Sequence, residues 1–286
     1  RCNLFGNTPM DLYSVIADNC NAKLRHDLEL GDDRQRLLAQ LWLKVGIDRS
    51  TVKPSVLKAP YGGTYMSVAD SLIDVLEQHV GYVPIEEYMF KVSKPSKYMA
   101  SVLWAEMSAV IAPVMQVKAW LRSCCRTMMN KGFPMEWTSP SGWPMRAADR
   151  QPIKRRIKTI LFGPSACCYL EDQPIDSPLS PNKACKPLPA NTIHSFDSAM
   201  FQRIIYEAAR HRVPVIPTHD CFACSPAHAS ELHNMLLHEF GQIFRKPLLE
   251  QMRQEMQDRT GLSLPAPPNH GSLDPMAIGS NIYLFS

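Results

Sequence analysis

Apolar residues recur at three- and four-residue intervals through most of the chain, the spacing that gathers them on one face of an α-helix. Leu12, Val15, Ile16, Leu24 and Leu28 keep this spacing. Asn7-Thr8-Pro9 ahead of them predicts the helix start: a capping side chain, then a proline near the first helical position. Further helices are predicted over Asp33–Val45 and Ser67–Val80. Residues 96–130 make the longest helical stretch, apolar on most sides. It reads as scaffold, kinked or broken at Pro113.

The texture changes after Gly132. Met135-Glu136-Trp137-Thr138, Ser139-Pro140-Ser141-Gly142 and Trp143-Pro144-Met145 read as strand, turn and strand. Ile153–Phe162 predicts another strand, broken at Gly163-Pro164. Asp172–Pro189 holds five prolines and little apolar periodicity, so a loop is expected there. Ser195–His211 predicts a helix, Val213–Ile216 a short strand, and Pro226–Phe244 and Pro247–Thr260 two more helices. The pattern describes a helix-rich α+β protein with no internal repeat and no glycine-rich nucleotide loop.

Composition narrows the classes. With 286 residues, 45% hydrophobic and 20% charged, the chain can bury a core, which excludes global disorder. The longest apolar stretches, such as Val102–Val117, are interrupted by Glu106 and Pro113 and are too short to span a bilayer, so no membrane partner is expected. Nine cysteines, with adjacent pairs at Cys124-Cys125 and Cys167-Cys168, read as reduced thiols of a cytosol or organelle matrix rather than a secreted disulfide framework. The sequence begins at Arg1 without a methionine or a secretory leader pattern, and a piece or a processed product is expected.

The net charge of +4 is unevenly spread. Between Arg146 and Lys158 stand six basic residues against one acid, Asp149, and Lys118, Arg122, Arg126 and Lys131 add a second run. Such runs suit a polyanion, because each neutralised phosphate releases counterions; a solvated surface is the plain alternative.

Three groups could carry chemistry. Arg49, Lys53 and Tyr61-Gly62 are spaced by four and eight residues. On one helix these steps return to within about 40–80° of the start, so the side chains share a face. An arginine fork, a lysine point charge and a tyrosine beside a base or sugar make a triphosphate grip; a solvated basic face is the alternative. His219-Asp220 follows a short apolar strand, and an aspartate there can ligate a hard divalent ion or close its own turn. Cys221, Cys224, His228 and His233 raise a zinc site, although the intervals are short for a zinc finger and Cys221 is expected to pack.

The first two groups together resemble the single-subunit, bacteriophage-type RNA polymerases, including the mitochondrial enzymes. Asp48-Arg49-Ser50-Thr51-Val52-Lys53-Pro54-Ser55-Val56-Leu57-Lys58-Ala59-Pro60-Tyr61-Gly62 resembles motif B, the fingers helix of that family. Pro217-Thr218-His219-Asp220-Cys221-Phe222 resembles motif C, the palm turn with a metal-binding aspartate. Trp137-Thr138-Ser139-Pro140-Ser141-Gly142-Trp143-Pro144 is similar to a hairpin of the family, and Gln151-Pro152-Ile153-Lys154-Arg155-Arg156 to the start of its promoter-specificity hairpin. Asn191-Thr192-Ile193-His194-Ser195-Phe196-Asp197 resembles its histidine-serine-x-aspartate element. The likeness runs in order along essentially the whole chain.

The resemblance implies DNA-directed RNA synthesis by nucleotidyl transfer from NTPs. The implied fold is fingers over residues 1–194, with the specificity hairpin at about 146–176, and the C-terminal part of the palm over 195–286, with its metal-binding turn at 217–222. It assigns Asp220 to magnesium (two ions expected, one carboxylate present here). It assigns Arg49 and Lys53 to the triphosphate, Lys53 to protonation of the leaving group, and Tyr61 with Gly62 to the sugar and the new base pair. His194 is placed at the incoming nucleotide and Tyr13 near the templating site. Arg155, Arg156 and Lys158 are placed on promoter DNA. The implied partners are DNA template and promoter, nascent RNA and NTPs, in an organelle matrix or the cytoplasm of a phage-infected host. The family's second catalytic aspartate, in motif A, has no counterpart after Arg1. A missing N-terminal part or partner chain is therefore expected to supply it, and this chain alone is expected not to polymerise.

Two other readings remain open. A DNA polymerase I relative shares the lysine-to-tyrosine spacing and the histidine-aspartate turn, but Leu57 and Cys221 stand where that family carries an aromatic residue and a glutamate. A nucleic-acid-binding remnant without catalysis would keep the basic hairpin alone.

Overall fold

Asp11 opens helix α1 (Leu12–Leu30) by accepting hydrogen bonds from the amides of Tyr13 and Ser14. The computed structural model describes residues 11–158, 167–172, 174–218 and 221–280. The start signal Asn7-Thr8-Pro9 therefore lies outside the described residues. The chain divides into two compact units, residues 1–116 with 277–286, and residues 117–276.

The first unit is helical. After α1 come α2 (Asp33–Val45), α3 (Arg49–Lys58), α4 (Tyr65–Val80), the short α5 (Ile85–Tyr88), a π-helical turn (Met89–Ser93) and α6 (Lys94–Val110). Helix α2 has the predicted bounds. Asp32 and Gln35 form a reciprocal capping box at its start, and Gly46 closes its end. Helix α4 starts two residues earlier than expected, because Thr64 and Ser67 make a second capping box. One face of α1 buries Ile16, Ala17, Cys20 and Leu24, against Trp42 of α2, Val52 and Val56 of α3, Leu72 and Leu76 of α4, and Met99 and Leu103 of α6. The buried Trp42 indole donates to the Pro95 carbonyl at 2.9 Å, which satisfies its one polar atom.

The long stretch over 96–130 is broken, but at Ile111, whose backbone leaves the helical region. Pro113 falls in the first turn of α7 (Ala112–Asn130), where a missing N–H costs least.

The second unit carries three separate antiparallel ribbons among the described residues. β1 (Met135–Thr138) pairs with β2 (Pro144–Ala147), β3 (Ile153–Lys158) with β4 (Cys167–Asp172), and β5 (Val215–Thr218) with β6 (Cys221–Cys224). The remaining helices are the short α8 (Pro181–Ala184), α9 (Leu188–Arg210), α10 (Ala229–Phe244) and α11 (Leu248–Thr260). Trp120, Leu121, Cys124, Cys125 and Met128 of α7 form a core with Met135 and Trp137 of β1 and Met252 and Met256 of α11.

Two expectations are corrected. The segment predicted as loop over Asp172–Pro189 holds α8 and the start of α9, because Pro181 sits in the first turn of α8 and Pro189 in that of α9, where proline favours helix. The second basic run is not a surface stripe: Lys118 is buried, and Arg122 donates to the Cys185 carbonyl at 3.4 Å. The residue boundary 194/195 lies inside α9, whereas the compact units part at 116/117 inside α7. No single described helix is long and apolar enough to cross a membrane.

Candidate functional site

In the first unit the site is assembled from two helix starts. Asp48 caps α3, accepting from the Thr51 amide at 2.9 Å and from the Ser50 and Thr51 hydroxyls at 2.7 and 2.8 Å. The Ser50 hydroxyl first, then the Thr51 amide and hydroxyl, push its carboxyl down to about 2. Arg49 is thereby the first residue of α3, and Lys53 follows one turn later. Asn21 of α1 donates to the Ile47 carbonyl at 2.7 Å, which ties the approach to α3 onto α1.

Asp11, already the cap of α1, also receives the Arg49 Nε at 3.0 Å. Burial acts to raise the Asp11 carboxyl, but the Ser14 hydroxyl, the amides of Ser14 and Tyr13, and Arg49 outweigh it and hold it below its ordinary value. Over the Tyr13 ring lie both cations, the Arg49 guanidinium at 5.2 Å and the Lys53 ammonium at 5.9 Å from the centroid. Cations over a ring face are attracted by its quadrupole. Arg49, Lys53 and Tyr13, separated by up to 40 residues of sequence, thus form one cluster, with the Arg49 side chain 53% exposed.

Tyr61 does not share the helix face expected of it, because α3 ends at Lys58. Ala59 to Gly62 form a turn instead. Gly62 has φ +102°, a conformation side chains disfavour, and a Cβ on Gly63 would meet the Lys58 carbonyl oxygen at 2.6 Å. The glycine pair reverses the chain and leaves the Tyr61 side chain at the surface. Pro54 lies just past the first turn of α3, on its exposed side, where water can reach the carbonyl its ring leaves without a donor.

In the second unit the β1–β2 hairpin fixes α9. The buried Trp137 indole donates to the Ser195 hydroxyl at 3.1 Å, which donates to the Thr192 carbonyl at 2.7 Å. With Ser195 held inward, the adjacent His194 is exposed. It lines a cavity of about 410 Å³ between hairpin and helix, with Trp143, Asn191, Ser198 and Gln202. Glu255 of α11 also holds the hairpin, accepting from the Thr138 amide at 2.8 Å.

β5 and β6 pair in the register Thr218↔Cys221. His219 and Asp220, between them in sequence, lie outside the described residues. Cys221, expected to pack, is exposed. Among the described residues no group of three His, Cys, Asp or Glu side chains could hold a metal ion, Cys221, Cys224, His228 and His233 included.

Arg155 and Arg156 stand on β3, both exposed. Alternation along the strand sends them to opposite faces of the ribbon, Arg155 with Ile153 and Ile157, Arg156 with Lys154. Lys158 pairs with Cys167 at the end of the ladder. Lys154 is engaged by Glu171 at 2.9 Å.

Sequence reasoning missed Asp11 and the Trp137–Ser195 bond. An aspartate directly before the first apolar-periodic residue was the available signal for Asp11; the indole–hydroxyl bond joins residues 58 positions apart and leaves no local mark.

A family model described as DNA-dependent RNA polymerase matches residues 2–272. The mitochondrial DNA-directed RNA polymerase of Schizosaccharomyces pombe is 22% identical over 264 residues, which cover 88% of this chain and 22% of that protein. DNA-directed RNA polymerase 3, chloroplastic, of Nicotiana sylvestris is 24% identical over 284 residues, 98% of this chain and 28% of that protein. DNA-directed RNA polymerase 2, chloroplastic/mitochondrial, of Arabidopsis thaliana is 25% identical over the same length, 98% and 27%. The chain spans about a quarter of the length of these relatives.

Proposed function

Because the chain belongs to the single-subunit, phage-type family of DNA-dependent RNA polymerases, we propose that it supplies the fingers and the C-terminal part of the palm of an enzyme that copies DNA into RNA. Residues 1–194 are the fingers, with the specificity hairpin at about 146–176, and residues 195–286 belong to the palm. DNA template and promoter, nascent RNA and NTPs are the partners. The relatives named above are organellar, and an organelle matrix is the compartment this reading favours over the cytoplasm of a phage-infected host.

The observation that carries the reading is the cluster of Arg49, Lys53 and Tyr13. Two cations near a helix start, Arg49 held by the capping carboxylate of Asp11 and both over an aromatic ring, suit a triphosphate. Arg49 can fork onto its oxygens, and Lys53 can neutralise the charge that develops on the leaving pyrophosphate and pass it a proton. Exchanging Asp11 for phosphate oxygens as the partner of Arg49 costs one exposed ion pair, on the order of 1 kcal/mol or less. Tyr61, at the exposed turn after α3, checks the sugar and closes on the new base pair, and Gly62 lets the turn form. His194 touches the incoming nucleotide or nascent pair, and Tyr13 borders the templating base. Arg155, Arg156 and Lys158 contact promoter DNA, and a ribbon seated in a groove can be read from both faces.

Divalent metal use follows from the family, and magnesium, when bound, activates the attacking hydroxyl and stabilises the leaving group. Asp220 is the carboxylate this chain offers it. In this reading the second catalytic aspartate is supplied by the remainder of the polymerase or by a partner chain.

The test is Asp220→Asn in the polymerase reassembled with its remaining catalytic part. Nucleotide addition falls by several orders of magnitude while template binding is unchanged. Retained turnover refutes the assignment.

A further inference from the structure

A second cationic cavity lies in the first unit, away from the cluster on Tyr13. Its volume is about 350 Å³, and Arg34 of α2 and Lys94 and Lys97 of α6 line it with Tyr65 and Tyr98. Among the described residues none of the three cations is in an ion pair; the Lys94 ammonium lies 4.0 Å from the Phe90 ring centroid. The acid in the lining, Asp32, is engaged in the α2 capping box, accepting from the Gln35 amide at 2.7 Å.

Besides the Gln35 side-chain amide, the hydroxyl groups of the walls have their protons committed within the protein. The Tyr65 hydroxyl donates to the Lys97 carbonyl at 2.7 Å, Tyr98 to Asp27 at 2.9 Å, and the Ser101 hydroxyl to the Tyr98 carbonyl at 2.7 Å. What remains for a ligand is chiefly positive charge, which suits phosphodiester oxygens of any sequence.

We propose that Arg34, Lys94 and Lys97 form a second phosphate site that holds the sugar–phosphate backbone of duplex DNA. The site rests on the polymerase reading for the class of its ligand. It makes binding sequence-independent and salt-sensitive, and it contributes nothing to the chemical step.

The test uses the 286-residue chain, a labelled 20-base-pair duplex (length chosen for the assay) and a salt series followed by fluorescence anisotropy. Replacing Arg34→Gln together with Lys97→Gln removes about two phosphate contacts, so the slope of log affinity against log salt becomes shallower by about 2. The charge-keeping pair Arg34→Lys with Lys97→Arg retains the wild-type slope, which separates charge from folding. Single-stranded RNA of equal length shows a smaller change in slope than the duplex. An unchanged slope in the Gln variant, a wild-type chain that does not bind duplex, or an equal or larger effect on RNA overturns the assignment. None of these results touches the Asp220→Asn test, so this site and the polymerase reading can fail separately.

Discussion

At residue 48 one carboxylate does two jobs, starting α3 and thereby setting where Arg49 stands. Its folded value of about 2 lies below the ordinary 3.8, so the cap's contribution is fully present above the unfolded value and fades as pH falls through about 4 towards 2. Asp48→Ala should lower stability at pH 7 by about 1 kcal/mol, as loss of a helix cap does. Melting temperatures of the two proteins should converge as pH drops from 4 to 2, and a gap that persists at pH 2 contradicts the capping role. Arg49 and Lys53 were legible because residue type and a four-residue step are written locally. The position of Tyr61 was not, because Gly62 and Gly63 end the helical geometry from which its face was counted. Asp11 is masked in the sequence by Asn7-Thr8-Pro9, a stronger-looking start signal a few residues upstream.

Among the elements, α2 matched its predicted bounds because its start and stop are both chemical, the capping box at Asp32 and the glycine at 46. Helix α9 was predicted seven residues short because prolines at 187 and 189 read as breakers, although proline in a first turn favours helix. That difference matters for function, since it puts Asn191 and His194 on a helix and lets the β1–β2 hairpin fix them. Trp137→Phe removes the indole donor to Ser195. It should cost about 1–3 kcal/mol in a denaturant titration, in the range of a lost buried hydrogen bond. In the reassembled polymerase it should also raise the KM for the nucleotide, through the altered setting of α9. A loss of stability with unchanged KM would show that the hairpin does not position His194.

For the whole molecule, helix-rich α+β was legible from periodicity alone, whereas the division at 116/117 was not, because it falls inside the continuous helical pattern of α7. Arg155 and Arg156 were grouped as one basic feature by adjacency, yet neighbours on a strand face opposite ways. Composition found the charge surplus around them but not its geometry, nor the burial of Lys118 in the other basic run.

The central claim is that Lys53 and Asp220 both serve one chemical step, nucleotide addition. A double-mutant cycle on single-nucleotide addition in the reassembled polymerase, with Lys53→Ala, Asp220→Asn and the pair, measures this directly. Groups that serve one transition state are non-additive, so the double variant should lose far less than the product of the two single losses. Losses that multiply would mean that the two side chains act independently, and the assignment of both to one step would be wrong.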